Sequence, residues 1–262
     1  MKSVGESNLQ VLLDKVLEKG INLAQYKSDF LRRRLAVRLR ARGTADYLRY
    51  SHLLDEDPSE YAALFKALSI NVTEFFRDSD VFDAFGQKVI PKLCTEKHSI
   101  RVWSAGCATG EEAYSVAIML KEHTNIPFKV LATDMSASAV ERARRGRYHD
   151  SALKNLPSNI LDKYFRSVGN EYEVSREIRD SVRLNVGDLA NCIAPVNLAA
   201  IFCRNVLMYF NRELQHKLVA RFHHSLLNHG YFVLGKSEAI MGRQSALFEP
   251  VMPKERIFRK RQ

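Results

Sequence analysis

Apolar residues recur with a helical period through about the first 75 positions, and no stretch there alternates as a strand would. The spacing predicts helices over 26–42, 45–54 and 59–68, the last two parted by the breaker "DEDP". After "VFDAFGQKVIPKL" the texture changes. "IRVWSA", "FKVLATD", "AAIFCRN" and "YFVLG" are short apolar runs, each next to an amphipathic segment of helical length. Such alternation predicts a mostly parallel sheet with helices on both faces. "EYEVSREIRDSVRLNV" alternates apolar and polar residues and predicts a small antiparallel insert over 169–186. "LFEPVMPKERIFRKRQ" predicts a hairpin that closes the sheet. The expected organisation is a helical domain over 1–75 followed by an α/β catalytic domain over 76–262.

Charge refines this picture. The chain of 262 residues carries a formal net charge of +10, which suits nucleic acid, an anionic membrane or an acidic protein partner and does not choose among them. The distribution says more. "FLRRRLAVRLRARG" (30–43) places six arginines within four helical turns, while Leu31, Leu35 and Leu39 form an apolar stripe. Two readings follow: a solvated face whose long stems cover apolar neighbours, or a docking face for something acidic, with Arg33, Arg34 and Arg38 as the candidates.

Several classes are set aside. No run approaches the about 18 uncharged apolar residues of a membrane span, and the polar N-terminus "MKSVGESNLQVLLDKV" does not read as a signal peptide. A cytoplasmic location is the default expectation. The four cysteines form no CxxC pair, so neither a disulfide framework nor structural zinc is expected. His223 and His224 are adjacent on a predicted helix and point in different directions; no metal site is expected.

The candidate chemistry begins at "IRVWSAGCATGEEAYS" (100–115), a strand that breaks into a glycine turn and then a helix. Gly106 and Gly110 bracket "CAT", but Glu111 stands where a phosphate-binding loop needs Lys, and GxGxxG is absent. Glu111 and Glu112 at a helix N-terminus satisfy the helix dipole and repel a pyrophosphate. The next strand ends in Asp134, at the edge where open α/β sheets bind ligands and where an acid suits a ribose diol. Ribose without phosphate, beside a turn that tolerates a cation, describes S-adenosylmethionine and predicts a methyltransferase. "SINVTEFFRD" (69–78) adds Asn71, Thr73 and Arg77; "IFCRNVLMYF" (201–210) adds Arg204, Asn205 and Tyr209; "VGDL" (186–189) offers Asp188 and Leu189 to an adenine.

These blocks, in this order and spacing, resemble the chemotaxis receptor methyltransferases, the CheR family: "NVTEFFRD", "RVWSAGCATGEEAYS", "ATDMSASAVERARRGRY" and "FCRNVLMYF". The resemblance runs over nearly the whole chain. It implies a Rossmann-like class I S-adenosylmethionine-dependent methyltransferase fold with a helical N-terminal domain and a small antiparallel β-subdomain. It also implies methyl transfer to glutamate side chains on the cytoplasmic methylation helices of membrane chemoreceptors, leaving S-adenosylhomocysteine. By motif position it assigns Asn71, Thr73, Arg77, Gly106, Asp134, Arg204 and Asn205 to the cofactor pocket, and Glu111 or Glu112 to its methionine end. Asp188 and Leu189 should flank the adenine, and Tyr209 should act near the methyl, with Arg77 orienting. The family has Asn where this chain has Asp188, which accepts hydrogen bonds but cannot donate them. Some members dock a receptor tail on the β-subdomain, and this chain leaves that question open. Nothing requires more than a monomer.

A glutamate has an unperturbed pKa near ~4.3 and is already a nucleophile at neutral pH, so no general base is required. Two other readings compete. A nucleic-acid methyltransferase fits the net charge, but the region after the fourth predicted strand lacks [DN]PP[YFW] and no Cys follows a Pro. A non-catalytic scaffold with a retained fold would not need Asp134 or the glycine turn, and both are present.

Overall fold

A computed structural model describes residues 4–19, 22–68 and 73–262. The chain divides into two compact units, Met1–Ile70 with Tyr209–Leu214, and Asn71–Met208 with Gln215–Gln262.

In the first unit, helices α1 (Val4–Leu17) and α3 (Tyr47–Glu56) pack together, as do α2 (Ser28–Ala41) and α4 (Ser59–Leu68). Asp46 caps α3 by accepting from the Leu48 amide at 3.0 Å. Leu31, Leu35 and Leu39 are buried, as the stripe on α2 requires. Tyr26 bridges to Phe210, and the Phe30 ring lies 4.9 Å from that of Tyr209, so the segment 209–214 covers the start of α2.

One charged cluster lies inside this unit. Arg38 grips Glu60 with two bonds of 2.8 and 2.7 Å, and the Tyr50 hydroxyl donates to the same carboxylate at 2.6 Å. Glu60 is 2% exposed. Arg38 is therefore an internal cross-brace. Arg33 is fully on the surface, and Arg34 lies over the Phe30 ring.

The second unit continues with α5 (Ser79–Lys88), α6 (Ile90–Glu96), β1 (Ile100–Ala105), α7 (Glu111–His123), β2 (Phe128–Asp134), α8 (Ala137–Arg145), β3 (Arg147–Tyr148) and α9 (Ser158–Tyr164). It ends with β4 (Phe165–Val168), β5 (Glu171–Val174), α10 (Arg176–Ser181), β6 (Val182–Val186), β7 (Leu198–Cys203), α11 (Arg212–Ser225), β8 (Leu226–Leu234), β9 (Phe248–Met252) and β10 (Ile257–Lys260). Helix α11 begins in the first unit and ends in this one.

The main sheet has the order β6-β2-β1-β7-β8-β10-β9, parallel as far as β8 and antiparallel beyond it. This is a Rossmann-like, mostly parallel sheet closed by the C-terminal hairpin. β7 is buried at every position, as a central parallel strand covered on both faces must be. Phe202 meets Phe85 and Phe82 at ring distances of 5.1 and 6.0 Å, and Trp103 meets Phe222 at 5.4 Å. Truncating Phe202 to Ala here costs about 3–5 kcal/mol through lost contact and a residual cavity.

The small antiparallel sheet has the order β3-β5-β4. It differs from the insert expected over 169–186. It recruits residues from 147 onward, 176–181 is helix, and Val182–Val186 pairs in parallel with β2 as the edge of the main sheet. An edge strand has one neighbour and one wet side, so its residues alternate much as a free antiparallel strand would.

Candidate functional site

The carboxyl ends of β1, β2, β6 and β7 converge, and the turns that leave them carry most of the expected residues. After β1, Gly106 turns with φ +88°, and both Gly106 and Cys107 donate main-chain bonds to the Thr133 carbonyl, at 2.8 and 3.1 Å. A Cβ on Gly106 would lie 2.5 Å from Val206 Cγ2, and one on Gly110 (φ +97°) 2.7 Å from Ala143 Cβ. Backbone conformation and close approach both demand glycine at these two positions.

Asp134 ends β2 and is 9% exposed. Its Oδ2 accepts from the Ala108 amide at 2.8 Å and its Oδ1 from the Ser136 amide at 2.9 Å. The carboxylate is thereby fixed in orientation, with one lone pair on each oxygen left over, which is the demand of a vicinal diol. Burial raises its pKa, and the two amide bonds oppose that shift. Gly187, after β6, donates to the Asp134 carbonyl at 2.9 Å, so Asp188 and Leu189 follow directly from that contact.

The Asp188 carboxylate folds back on its own turn, accepting from the Ala190 amide at 2.9 Å and the Asn191 side chain at 3.0 Å, one bond to each oxygen. Burial raises its pKa. Arg221 on α11 donates to the Leu189 carbonyl and, at 3.0 Å, to that of Ala190, which pins the loop from behind.

The two glutamates of α7 differ in their contacts. Glu111 is 3% exposed and accepts from the Thr109 hydroxyl at 2.6 Å. Glu112 turns to the sheet edge: it accepts from the Ser104 hydroxyl at 2.7 Å and lies 3.7 Å from Arg204. Burial raises the pKa of both; for Glu112 the charge of Arg204 is the main opposing influence, and Arg77 also draws it down.

Arg204 is the hub of this edge, with its side chain 2% exposed. It donates to Asp78 at 2.6 Å and to the Arg77 carbonyl at 2.7 Å, and lies over the Phe82 ring. Phe76 and Asp78 both hold positive φ, and the Phe76 amide donates to Ser115 Oγ at 2.9 Å, on α7. The segment carrying Thr73 and Arg77 is therefore stitched to both β7 and α7. Thr73 is half-buried and lies outside any helix. Asn71 lies outside the described residues. Tyr209 belongs to the helical unit, where its ring lies tilted against that of Phe30 and its carbonyl accepts from the Lys27 amide at 2.9 Å.

Sequence reasoning passed over Glu238, which is 5% exposed and accepts main-chain bonds from Asn205, Gly235 and Met208 at 2.7, 2.9 and 3.1 Å. The acid in "LGKSEAI", just past a strand's carboxyl end, was its only trace. Arg221 left no trace, since it acts through main-chain carbonyls.

These residues fit S-adenosylmethionine: an uncharged turn that side chains would fill, a fixed carboxylate for a diol, and a buried Glu112 suited to an ammonium group. Cys107 and Cys203 are buried thiols whose pKa burial pushes well up, which leaves them poor nucleophiles. A cleft of about 770 Å³ lined by Lys129, Arg144, Arg176, Arg179 and Arg183 lies along β6 and α10 and shares no residue with this edge.

A family model described as "CheR methyltransferase, SAM binding domain" matches residues 71–256, and "CheR methyltransferase, all-alpha domain" matches 9–69. Among relatives, the chemotaxis protein methyltransferase of Borreliella burgdorferi is 33% identical, over 89% of this chain and 87% of its own. That of Salmonella typhimurium is 35% identical, over 84% of this chain and 78% of its own. The putative methyltransferase Cher3 of Pseudomonas putida is 33% identical over 96% of both. Fold, glycine turn, Asp134 and these matches agree: the chain belongs to the CheR methyltransferase family, with that family's all-alpha domain and its S-adenosylmethionine-binding domain.

Proposed function

We propose that this chain transfers a methyl group from S-adenosylmethionine to glutamate side chains in the cytoplasmic methylation helices of membrane chemoreceptors. The products are glutamate methyl esters, which serve sensory adaptation, and S-adenosylhomocysteine. The enzyme acts in the cytoplasm as a monomer and needs neither nucleic acid nor membrane insertion. The observation that carries the reading is Asp134, held by two main-chain amides beside a glycine turn that offers no cation to a phosphate.

When bound, the cofactor supplies an electrophilic methyl on a positively charged sulfur. The residues of the chain bind, orient and exclude water. Asp134 takes the ribose hydroxyls, and Asp188 and Leu189 line the adenine, with Leu189 giving an apolar wall. Asp188 accepts one bond on each oxygen and keeps a lone pair on each, so it serves there only as an acceptor. Glu112, rather than Glu111, holds the methionine ammonium, because Glu112 faces Arg204 and Ser104 while Glu111 is turned to Thr109. Thr73, Arg77, Arg204 and Asn205 complete the polar rim, and Asn71 joins them by motif position.

The acceptor carboxylate is ionised at neutral pH and needs alignment rather than a base; alignment contributes up to roughly 7–11 kcal/mol. Positive sulfur and negative carboxylate cancel as they react, so a dry site favours the transition state. Arg77 orients the acceptor without neutralising it, and Tyr209 donates a hydrogen bond near the methyl. The acidic methylation helices are steered to the basic face of α2, with Arg33 and Arg34 as the contacts.

The test is incubation with methyl-labelled S-adenosylmethionine and receptor-bearing membranes. The reading requires label that mild base releases as methanol. Base-stable label, or label on nucleic acid, sinks it, and a chain that binds no cofactor in calorimetry is the scaffold instead.

A further inference from the structure

The turn between β7 and Tyr209 holds a left-handed backbone position and a buried carboxylate together. Asn205 has φ +59°, a conformation that Asn adopts more readily than other non-glycine residues. Its amide donates to Glu238 Oε2 at 2.7 Å, and Gly235, at the end of β8, donates to the same oxygen at 2.9 Å. The other oxygen, Oε1, takes the Met208 amide at 3.1 Å. One carboxylate thus accepts three main-chain N–H groups from both ends of the turn and from the neighbouring strand.

Space enforces the same arrangement. A Cβ on Gly235 would lie 2.7 Å from the Asn205 side-chain nitrogen and 2.8 Å from both the Asn205 amide and Glu238 Oε2. Three N–H dipoles converge on this one buried side chain. Apolar packing alone could have closed this corner; a charged group with three donors indicates that the turn's geometry, not its mere burial, is what is held.

We propose that Glu238 is a positioning residue for methyl transfer: through its two oxygens it sets the Asn205 end and the Met208 end of the turn independently. The proposal rests on the reading of Asn205 as a cofactor contact and of the following Tyr209 as a group near the methyl. Glu238 itself touches neither cofactor nor acceptor in this scheme.

The two-oxygen arrangement makes a specific test. In Glu238→Gln the single carbonyl oxygen serves best where two N–H groups meet, at Asn205 and Gly235, and the amide NH2 then faces the Met208 N–H. Hydrogen exchange on the full chain should show the Met208 amide opening at least tenfold faster, with those of Asn205 and Gly235 still slow. S-adenosylhomocysteine affinity should stay within threefold, while turnover falls at least tenfold. Glu238→Ala should release all three amides and lower that affinity at least tenfold as well. Gly235→Ala, which crowds the same corner and presses on the carboxylate without removing it, should reproduce the affinity loss if the alanine variant fails to fold. Wild-type exchange and turnover in Glu238→Gln would overturn the proposal. So would equal loosening of all three amides, which marks general destabilisation. If the wild-type chain methylates no receptor, the functional reading fails, while exchange and cofactor affinity still judge Glu238.

Discussion

Arg204 donates to Asp78 at 2.6 Å across 126 residues of sequence, and through the same nitrogen to the Arg77 carbonyl at 2.7 Å. The end of β7 and the segment that precedes α5 are thereby held as one rim, with Glu112 3.7 Å from the other terminal nitrogen. Lysine cannot reproduce this fork, because an ammonium is a point charge without the planar array of donors. Arg204→Lys should lower S-adenosylhomocysteine affinity at least tenfold and also lower the melting temperature. Asp78→Asn should do less on both measures, since the Arg77 carbonyl and Glu112 remain.

Glu111 and Glu112 should part company in titrations. Burial raises the folded-state pKa of Glu111 above its ordinary 4.5. A carboxyl with a raised folded pKa favours the fold fully below 4.5 and loses that contribution as pH rises through the folded value. Glu111→Gln removes the cost of the buried charge, so its melting temperature relative to wild type should be higher at pH 7.5 than at pH 4. Its cofactor affinity should change little. Glu112→Gln should weaken calorimetric binding of S-adenosylmethionine about tenfold, the scale of one hydrogen bond to a charged group. Equal losses in the two variants would remove the assignment.

Gly106→Ala combines a positive φ with a Cβ 2.5 Å from Val206 Cγ2. Crowding of this kind costs about 1–3 kcal/mol, and the displaced turn should also lose cofactor affinity. Adding Val206→Ala should restore part of the stability, since it removes the clash and leaves the φ strain. No recovery in the double variant would mean that the contact is not the source of the loss.

On α2 the arginines should sort by partner. Arg38→Ala removes the two-bond partner of the buried Glu60, leaving it Tyr50 at 2.6 Å and Arg42 at 3.6 Å, and should lower stability by roughly 1.5–3 kcal/mol, visible in thermal unfolding. Arg33→Ala with Arg34→Ala should leave the melting temperature nearly unchanged. The pair should slow receptor methylation most at low salt, where steering is strongest. Unchanged methylation at low salt would end the docking role.

Much of this was legible along the chain, and the exceptions have physical causes. β1, β2 and β7 stood out because strands buried on both faces are continuously apolar, and the glycine turn with Asp134 pointed to a nucleoside. β6 was misread because an edge strand alternates. Glu111 and Glu112 could not be told apart, since adjacent helix positions share a composition and differ only in direction. Arg38 was hidden among six arginines because its partner, Glu60, lies 22 residues on and on another helix. Glu238 left little mark because it binds main-chain amides, which every residue possesses.

The strip Tyr209–Leu214, which belongs with the N-terminal helices, has a consequence for recombination between relatives. Its Phe210 pairs with Tyr26 and its Tyr209 ring lies tilted against that of Phe30, so a graft of the leading segment alone would seat foreign aromatic positions against resident ones. An exchangeable module here is discontinuous, two pieces of chain inherited together. A crossover that falls between them would separate Tyr26 and Phe30 from the aromatic partners they pack against.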